Sequence, residues 1–273
     1  MTGDTALAAA PRRPQMVVLA ALVALAALAW GYVIWLAAQM AAPSPAIISN
    51  MPGMDMNGAG MIAPAFALWT FVHFLFIFTM WAVMMVGMMT PSVTPMVLIY
   101  GRVAQQSMAP GRQVAPAGWF AAGYLVAWGL FAAFAALAQW GLAVLALITP
   151  MMATASHKFG GAVLIAAGAY QWMPIKDACL SQCRAPLSFM QRHGGFRASA
   201  CGSVRLGLLH GMYCVGCCWA LMAVLFVVGV MNLLWIAALM IFVLLEKVIP
   251  GGRSFSRVAG CAAVGAGIWM IGT

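Results

Sequence analysis

Seven apolar runs, each long enough or nearly long enough to cross a lipid bilayer, leave this chain few folds to choose from. They lie near 16–38, 66–89, 117–140, 158–174, 206–230, 232–249 and 257–272. In hydrocarbon a backbone has to satisfy its own N–H and C=O groups, and segments of this length do so as helices. The expectation is an all-α fold: a polytopic membrane bundle of about seven transmembrane helices. Composition agrees, with 65% hydrophobic and 6% charged residues. Arg12 and Arg13 precede a first run of about 23 residues, too long for the apolar part of a cleaved signal, so it reads as an uncleaved span. Pro91 and Pro250 follow runs, where proline ends helices.

Charge orients the bundle. Asp4, Asp55, Asp177 and Glu246 are the only acidic residues, so the net charge of +9 reflects scarcity of acid. Most Lys and Arg sit in short segments between runs and fall on one side if the N-terminus is cytosolic, with Lys158 the exception. That pattern explains the basic excess without nucleic acid as a partner. It divides the chain into a cytosolic tail, 1–15, and one transmembrane domain, 16–273. The domain has an outer loop at 39–65 and a cytosolic loop at 175–205.

The fifth run begins His210-Gly211-Met212-Tyr213-Cys214-Val215-Gly216-Cys217-Cys218. At about 100° per residue, His210, Cys214 and Cys217 fall within about 60° of one another, with Cys218 on the flank. Imidazole and thiols in hydrocarbon are costly unless they bind something, so a soft-metal or thiol site is expected. The alternative is cysteine buried as a small hydrophobe.

Methionine supplies a second pattern. Met51, Met54 and Met56 stand in the outer loop among Gly, Pro and Asn, a flexible thioether-rich stretch suited to collecting Cu(I) or Ag(I), or simply a linker. In the second run His73, Met80, Met84 and Met88 form one helical stripe, with Met89 beside it. Such a stripe either fills a core or lines a path. Met80 and Met84 lie at a depth similar to that of Cys214 and Cys217, so a route from outer Met through His73 to the thiols is expected.

In the cytosolic loop, Cys179 and Cys183 meet on one face of a helical turn. Flanking Lys176 and Arg184 are expected to lower their thiol pKa. Glu246-Lys247 at the end of the sixth run reads as a snorkelling or paired charge set, with proton transfer by Glu246 as the alternative. Tyr170, Gln171 and Asn232 read as polar groups that join helices.

Five motifs then occur together: Trp81-x-x-Met84-x-x-Gly87-Met88-Met89-x-Pro91; Gly123-Tyr124-x-x-x-Trp128; Tyr170-Gln171 through Cys179-x-x-x-Cys183-Arg184-x-Pro186; Gly207-x-x-x-Gly211-x-x-Cys214-x-Gly216-Cys217-Cys218-Trp219; and Met231-Asn232 through Glu246-Lys247-x-x-Pro250. Across about residues 70–250 they resemble a bacterial domain-of-unknown-function family described as predicted metal-binding integral membrane proteins. Gly87 departs from that pattern, where Ala is usual. The resemblance implies a metal, a multi-pass protein of the bacterial inner membrane, and Cys179, Cys183, Cys214, Cys217 and Cys218 with Met84, Met88 and Met89 as motif positions.

Together these features describe a membrane protein that binds Cu(I), or another soft ion, through Met, His and Cys, and imports or delivers it. Its implied partners are lipid, the ion, and a soluble metallochaperone or metalloenzyme client. The rival readings are a membrane thiol-disulfide oxidoreductase and a non-transporting assembly factor for a copper or haem enzyme.

Overall fold

The computed structural model describes residues 12–41, 71–107, 115–147, 154, 156–197, 199–249 and 251–273. Its elements are α1 (Arg12–Ala41), α2 (Phe71–Ser107), α3 (Ala115–Val144), α4 (His157–Tyr170), α5 (Pro174–Arg184), α6 (Pro186–Arg192), α7 (Ala200–Ala223), α8 (Leu225–Val228), α9 (Leu233–Val248) and α10 (Gly252–Gly272).

The fold is all-α, and the described residues contain five helices long and apolar enough to cross a membrane, not seven. These are α1, α2, α3, α7 continued by α8, and α10. The runs at 158–174 and 232–249 yield helices of only 14 and 16 residues, α4 and α9. At 1.5 Å per residue they reach roughly 21 and 24 Å, short of a hydrocarbon core of about 30 Å. Hydropathy counted residues that the backbone spends on turns. Gln171 to Met173 leave the helix of α4, and Asn232 caps α9 by accepting from Trp235 N at 3.4 Å instead of joining two helices.

Proline was expected to end the second run, yet α2 continues through Pro91 and Pro95. The hydroxyls of Thr90, Ser92 and Thr94 donate to the carbonyls of Val86, Met89 and Thr90, so these side chains satisfy their polar groups on the helix's own backbone around the prolines. The segment 175–205 between the longer helices holds most of α5, α6 and the start of α7.

Two close approaches position the site. In the first, α3 lies against α7 with almost no side chain between them. A Cβ on Gly207 would collide with the carbonyl of Phe120, one on Gly123 with that of Val204, and one on Gly211 with Ala127. Small residues one turn apart let membrane helices pack backbone to backbone. The second ties α5 to α9 and α10. Lys176 and Glu246, both 0% exposed, pair with each other; Gln171 accepts from Lys176, and Ser256 donates to Glu246. Outside this pair, Asp177 meets Arg253 at 3.7 Å and Arg257 at 3.6 Å, and Arg184 Nη2 donates to Ile249 O at 2.6 Å.

A buried ion pair contributes little against an apolar equivalent, but removing one partner strands a charge at a cost of about 3–5 kcal/mol. Lys176→Met is therefore expected to destabilise the protein by roughly that amount, and Lys176→Met/Glu246→Leu to recover most of the loss. Thermal unfolding of the detergent-solubilised chain checks this; equal melting points for single and double variants would contradict it.

Candidate metal centre

The centre is assembled from two helices that the sequence keeps apart. The sulfurs of Cys183 on α5 and of Cys214 and Cys217 on α7 all lie within 4.8 Å of one another. Cys214 and Cys217 are fully buried; Cys183 is half-buried. Three thiolates around one ion at about 2.3 Å each would sit roughly 4 Å apart, so small rotamer changes bring this set to trigonal coordination. The chemistry fits as well, because an all-sulfur set suits Cu(I) and other soft ions.

Local sequence explains the convergence. Gly216, between the two cysteines of α7, leaves room for α5: a Cβ there would meet the Cys179 sulfur at 2.9 Å. Tyr170, at the end of α4, donates its hydroxyl to the Gly216 carbonyl and holds the same point from the other side. With Cys179 seated on Gly216, Cys183 comes one turn later onto Cys214 and Cys217. The Cys217 and Cys218 thiols donate back to the Cys214 carbonyl at 3.1 and 3.0 Å. Cys218 thus flanks the triad, also facing Cys214 and Cys217.

Two groups from other helices converge on the Cys214 sulfur: the Lys247 ammonium of α9 donates to it at 2.9 Å, and the Tyr124 hydroxyl of α3 lies 3.1 Å away. Lys247 also donates to Ser92 Oγ of α2 at 3.0 Å, and Tyr124 to the Met89 carbonyl at 3.3 Å. Charge-assisted bonds of this kind stabilise a thiolate where water is absent. The pair Glu246-Lys247 therefore divides its labour, since consecutive helical residues point about 100° apart. Glu246 turns to Lys176 and Lys247 to the sulfur. Neither Tyr124 nor Lys247 stood out as a ligand-setting residue in the sequence; a lysine in the last turn of a helix and a tyrosine after glycine were the available signals.

The expectation that Lys176 and Arg184 lower the pKa of the loop thiols is overturned. Bonding to Cys214 and Cys217, together with burial, holds the Cys183 thiol well above its ordinary range, and burial raises Cys179. The flanking cations are engaged elsewhere, Lys176 with Glu246 and Arg184 with the Ile249 carbonyl.

The other sequence-derived residues divide. Met80, Met84, Met88 and Met89 are buried in the core that also holds the thiols. α2 reaches Cys214 through Ser92 and the Met89 backbone, with Lys247 and Tyr124 between. His73 is exposed near the start of α2, about 22 Å along the helix from Met88, and the structure does not bring it to the thiols. His210 is 3% exposed among the rings of Phe120, Tyr124 and Phe189, one turn from Cys214 but outside the thiol triad. Met51, Met54 and Met56 lie outside the described residues.

Because Cys183 carries its proton at neutral pH, a soft cation has to displace it, and affinity rises with pH by about tenfold per unit for one released proton. Lys247→Met removes a charged donor worth about 1.5–3 kcal/mol, so Cu(I) affinity should fall roughly tenfold to hundredfold. Competition titration against a Cu(I) chelator across pH reads both effects; a flat profile or an unaltered Lys247→Met constant would contradict the arrangement.

Comparison with known proteins matches the chain to a family profile. The family profile described as PpoB2, copper chaperone, covers residues 78–270 and so takes in all seven cysteines. No curated protein and no solved structure matches the chain.

Proposed function

The chain belongs to this copper chaperone family, and from that premise we propose that it holds Cu(I) between Cys183, Cys214 and Cys217 and delivers it to a copper-requiring partner at the membrane. One observation carries the reading. Three thiols from helices remote in sequence converge within 4.8 Å, and a lysine ammonium rests on one of them. Copper is the cargo here, taken up and passed on as Cu(I).

The all-sulfur donor set supports a soft ion, and the Lys247 ammonium offsets part of the negative charge that the thiolates bring into a buried site. Cys183 then acts as the exchangeable ligand: half-buried and protonated without metal, it adds the third sulfur when copper arrives and leaves first when copper departs. Met80, Met84, Met88 and Met89 belong to the buried core that also holds Cys214 and Cys217, and Cys218 and Cys179 flank the triad. Delivery is favoured over import through the bundle, because His73 stands away from the thiols that a conduit would have to join. Five membrane-length helices make the protein multi-pass, and the resemblance to bacterial metal-binding membrane proteins points to the inner membrane.

A thiol-disulfide role would use the same three sulfurs, and one experiment separates the two. X-ray absorption of the Cu(I)-loaded protein is expected to show three sulfurs at about 2.3 Å, falling to two in Cys183→Ser, with copper lost in Cys214→Ser/Cys217→Ser. Thiol titration should show three cysteines protected by copper and freed by chelation without reductant. Thiols recovered only by a reductant, or one copper retained by the double variant, would overturn the Cu(I) reading.

A further inference from the structure

A second group of basic and metal-ligating side chains surrounds a cavity of about 420 Å³ where α6 gives way to α7. His193, Arg197, Ser199, Cys201 and Arg205 line it. The two described carboxylates are committed elsewhere, Asp177 to Arg253 and Arg257 and Glu246 to Lys176, so neither Arg197 nor Arg205 has an acidic partner among the described residues. Both guanidinium groups are exposed, yet the Arg197 backbone is held: its carbonyl accepts from Tyr100 at 3.1 Å and from Ser203 at 3.0 Å. Gly194, at φ +89°, leaves the space that the Arg197 guanidinium fills. The cavity therefore presents uncompensated positive charge on a fixed frame.

Two metal-ligating residues, Cys201 and His193, line the same cavity. Cys201 is an exposed free thiol. His193 Nδ1 lies 2.8 Å from the Phe189 carbonyl, which can only accept, so in the neutral ring Nδ1 carries the proton and Nε2 keeps the lone pair. Behind His193 a file of rings leads inward: His193 to Phe189 at 4.5 Å, Phe189 to His210 at 5.0 Å, and His210 to Tyr124 at 6.0 Å. Tyr124 ends on the Cys214 sulfur. His210 is buried, and its Nδ1 has no hydrogen-bond partner among the described residues. An orphaned imidazole nitrogen in such a place calls for a ligand.

We propose that this cavity docks an anionic Cu(I) thiolate complex, a small carboxylate-bearing thiol carrying the ion, and takes its copper onto Cys201 and His193 on the way to His210 and the thiol centre. Arg197 and Arg205 bind the carrier's carboxylates, and the volume is that of a small-molecule site. The exchange involves no redox change. The bond from Cu(I) to the carrier sulfur breaks, one to the Cys201 sulfur forms, and the Cys201 proton ends on the departing thiolate. The inference rests on the Cu(I) reading of the Cys183, Cys214 and Cys217 centre and names the donor that loads it.

Stopped-flow absorbance of Cu(I) transfer to the full-length chain tests it with two donors, Cu(I)–glutathione, whose thiol bears carboxylates, and Cu(I)–dithiothreitol, whose thiol bears none. Arg197→Gln/Arg205→Gln is expected to slow transfer from the glutathione complex by about tenfold or more, leaving the dithiothreitol rate within about twofold. Cys201→Ser should slow both, and equilibrium copper stoichiometry should be unaltered in either variant. Equal effects on the two donors, or none, would overturn the proposal. The same measurement in nanodiscs of zwitterionic and of phosphatidylglycerol lipid separates the other source of anionic groups. A donor difference seen only with the anionic lipid would assign the arginines to headgroups and also overturn it. Failure of the unaltered protein to retain copper would instead count against the thiol centre itself.

Discussion

The closeness of α3 and α7 is the constraint on which the thiol centre depends. Only because Gly123, Gly207 and Gly211 carry no side chain can the two backbones meet, and only then does the Tyr124 hydroxyl reach the Cys214 sulfur. Lipid tails are as apolar as leucine, so helices in a membrane gain little by hiding apolar surface from one another and associate through close packing and hydrogen bonds. The same device recurs between α4 and α10, where Gly168 and Gly260 each face the other's carbonyl. That pairing carries Tyr170 to the Gly216 carbonyl and so braces α7 beside its cysteines.

Charge economy is the second organising fact. With two carboxylates among the described residues, the cations near the centre divide between them and the sulfur. Glu246 neutralises Lys176 in the dry interior, Asp177 engages two exposed arginines, and Lys247 is left to a sulfur. Lys176 and Cys183 share α5, and Glu246 and Lys247 share α9, so the buried pair sets the third thiol and the ammonium relative to each other. The centre is held by contacts among five helices, α2, α3, α5, α7 and α9, rather than by one metal-binding helix.

Much of this was legible beforehand. The all-helical fold with membrane-length helices, and Cys183, Cys214 and Cys217 as candidates within a wider set of Cys, Met and His, follow from apolar run length, from cysteine and methionine usage, and from spacing on a helix. The span count was not legible, because hydropathy cannot tell a turn of Gln171 to Met173 from one more turn of helix. The pKa of Cys183 was misread for a related reason: Lys176 and Arg184 are close to it in sequence, but their charges are spent on Glu246 and the Ile249 carbonyl.

Residue types and local periodicity determine what each helix can do alone, and so the sequence by itself determined that the chain carries membrane-length apolar helices, that its candidate ligands are sulfur, and that Cys214 and Cys217 share a face. Which partners those thiols meet was decided by the tertiary structure alone. Cys183 lies 31 residues before Cys214, Tyr124 lies 90 before it and Lys247 33 after it. No local rule links such positions; only the approach of α3, α5 and α9 to α7, set by glycine contacts and one buried ion pair, brings them to a single sulfur.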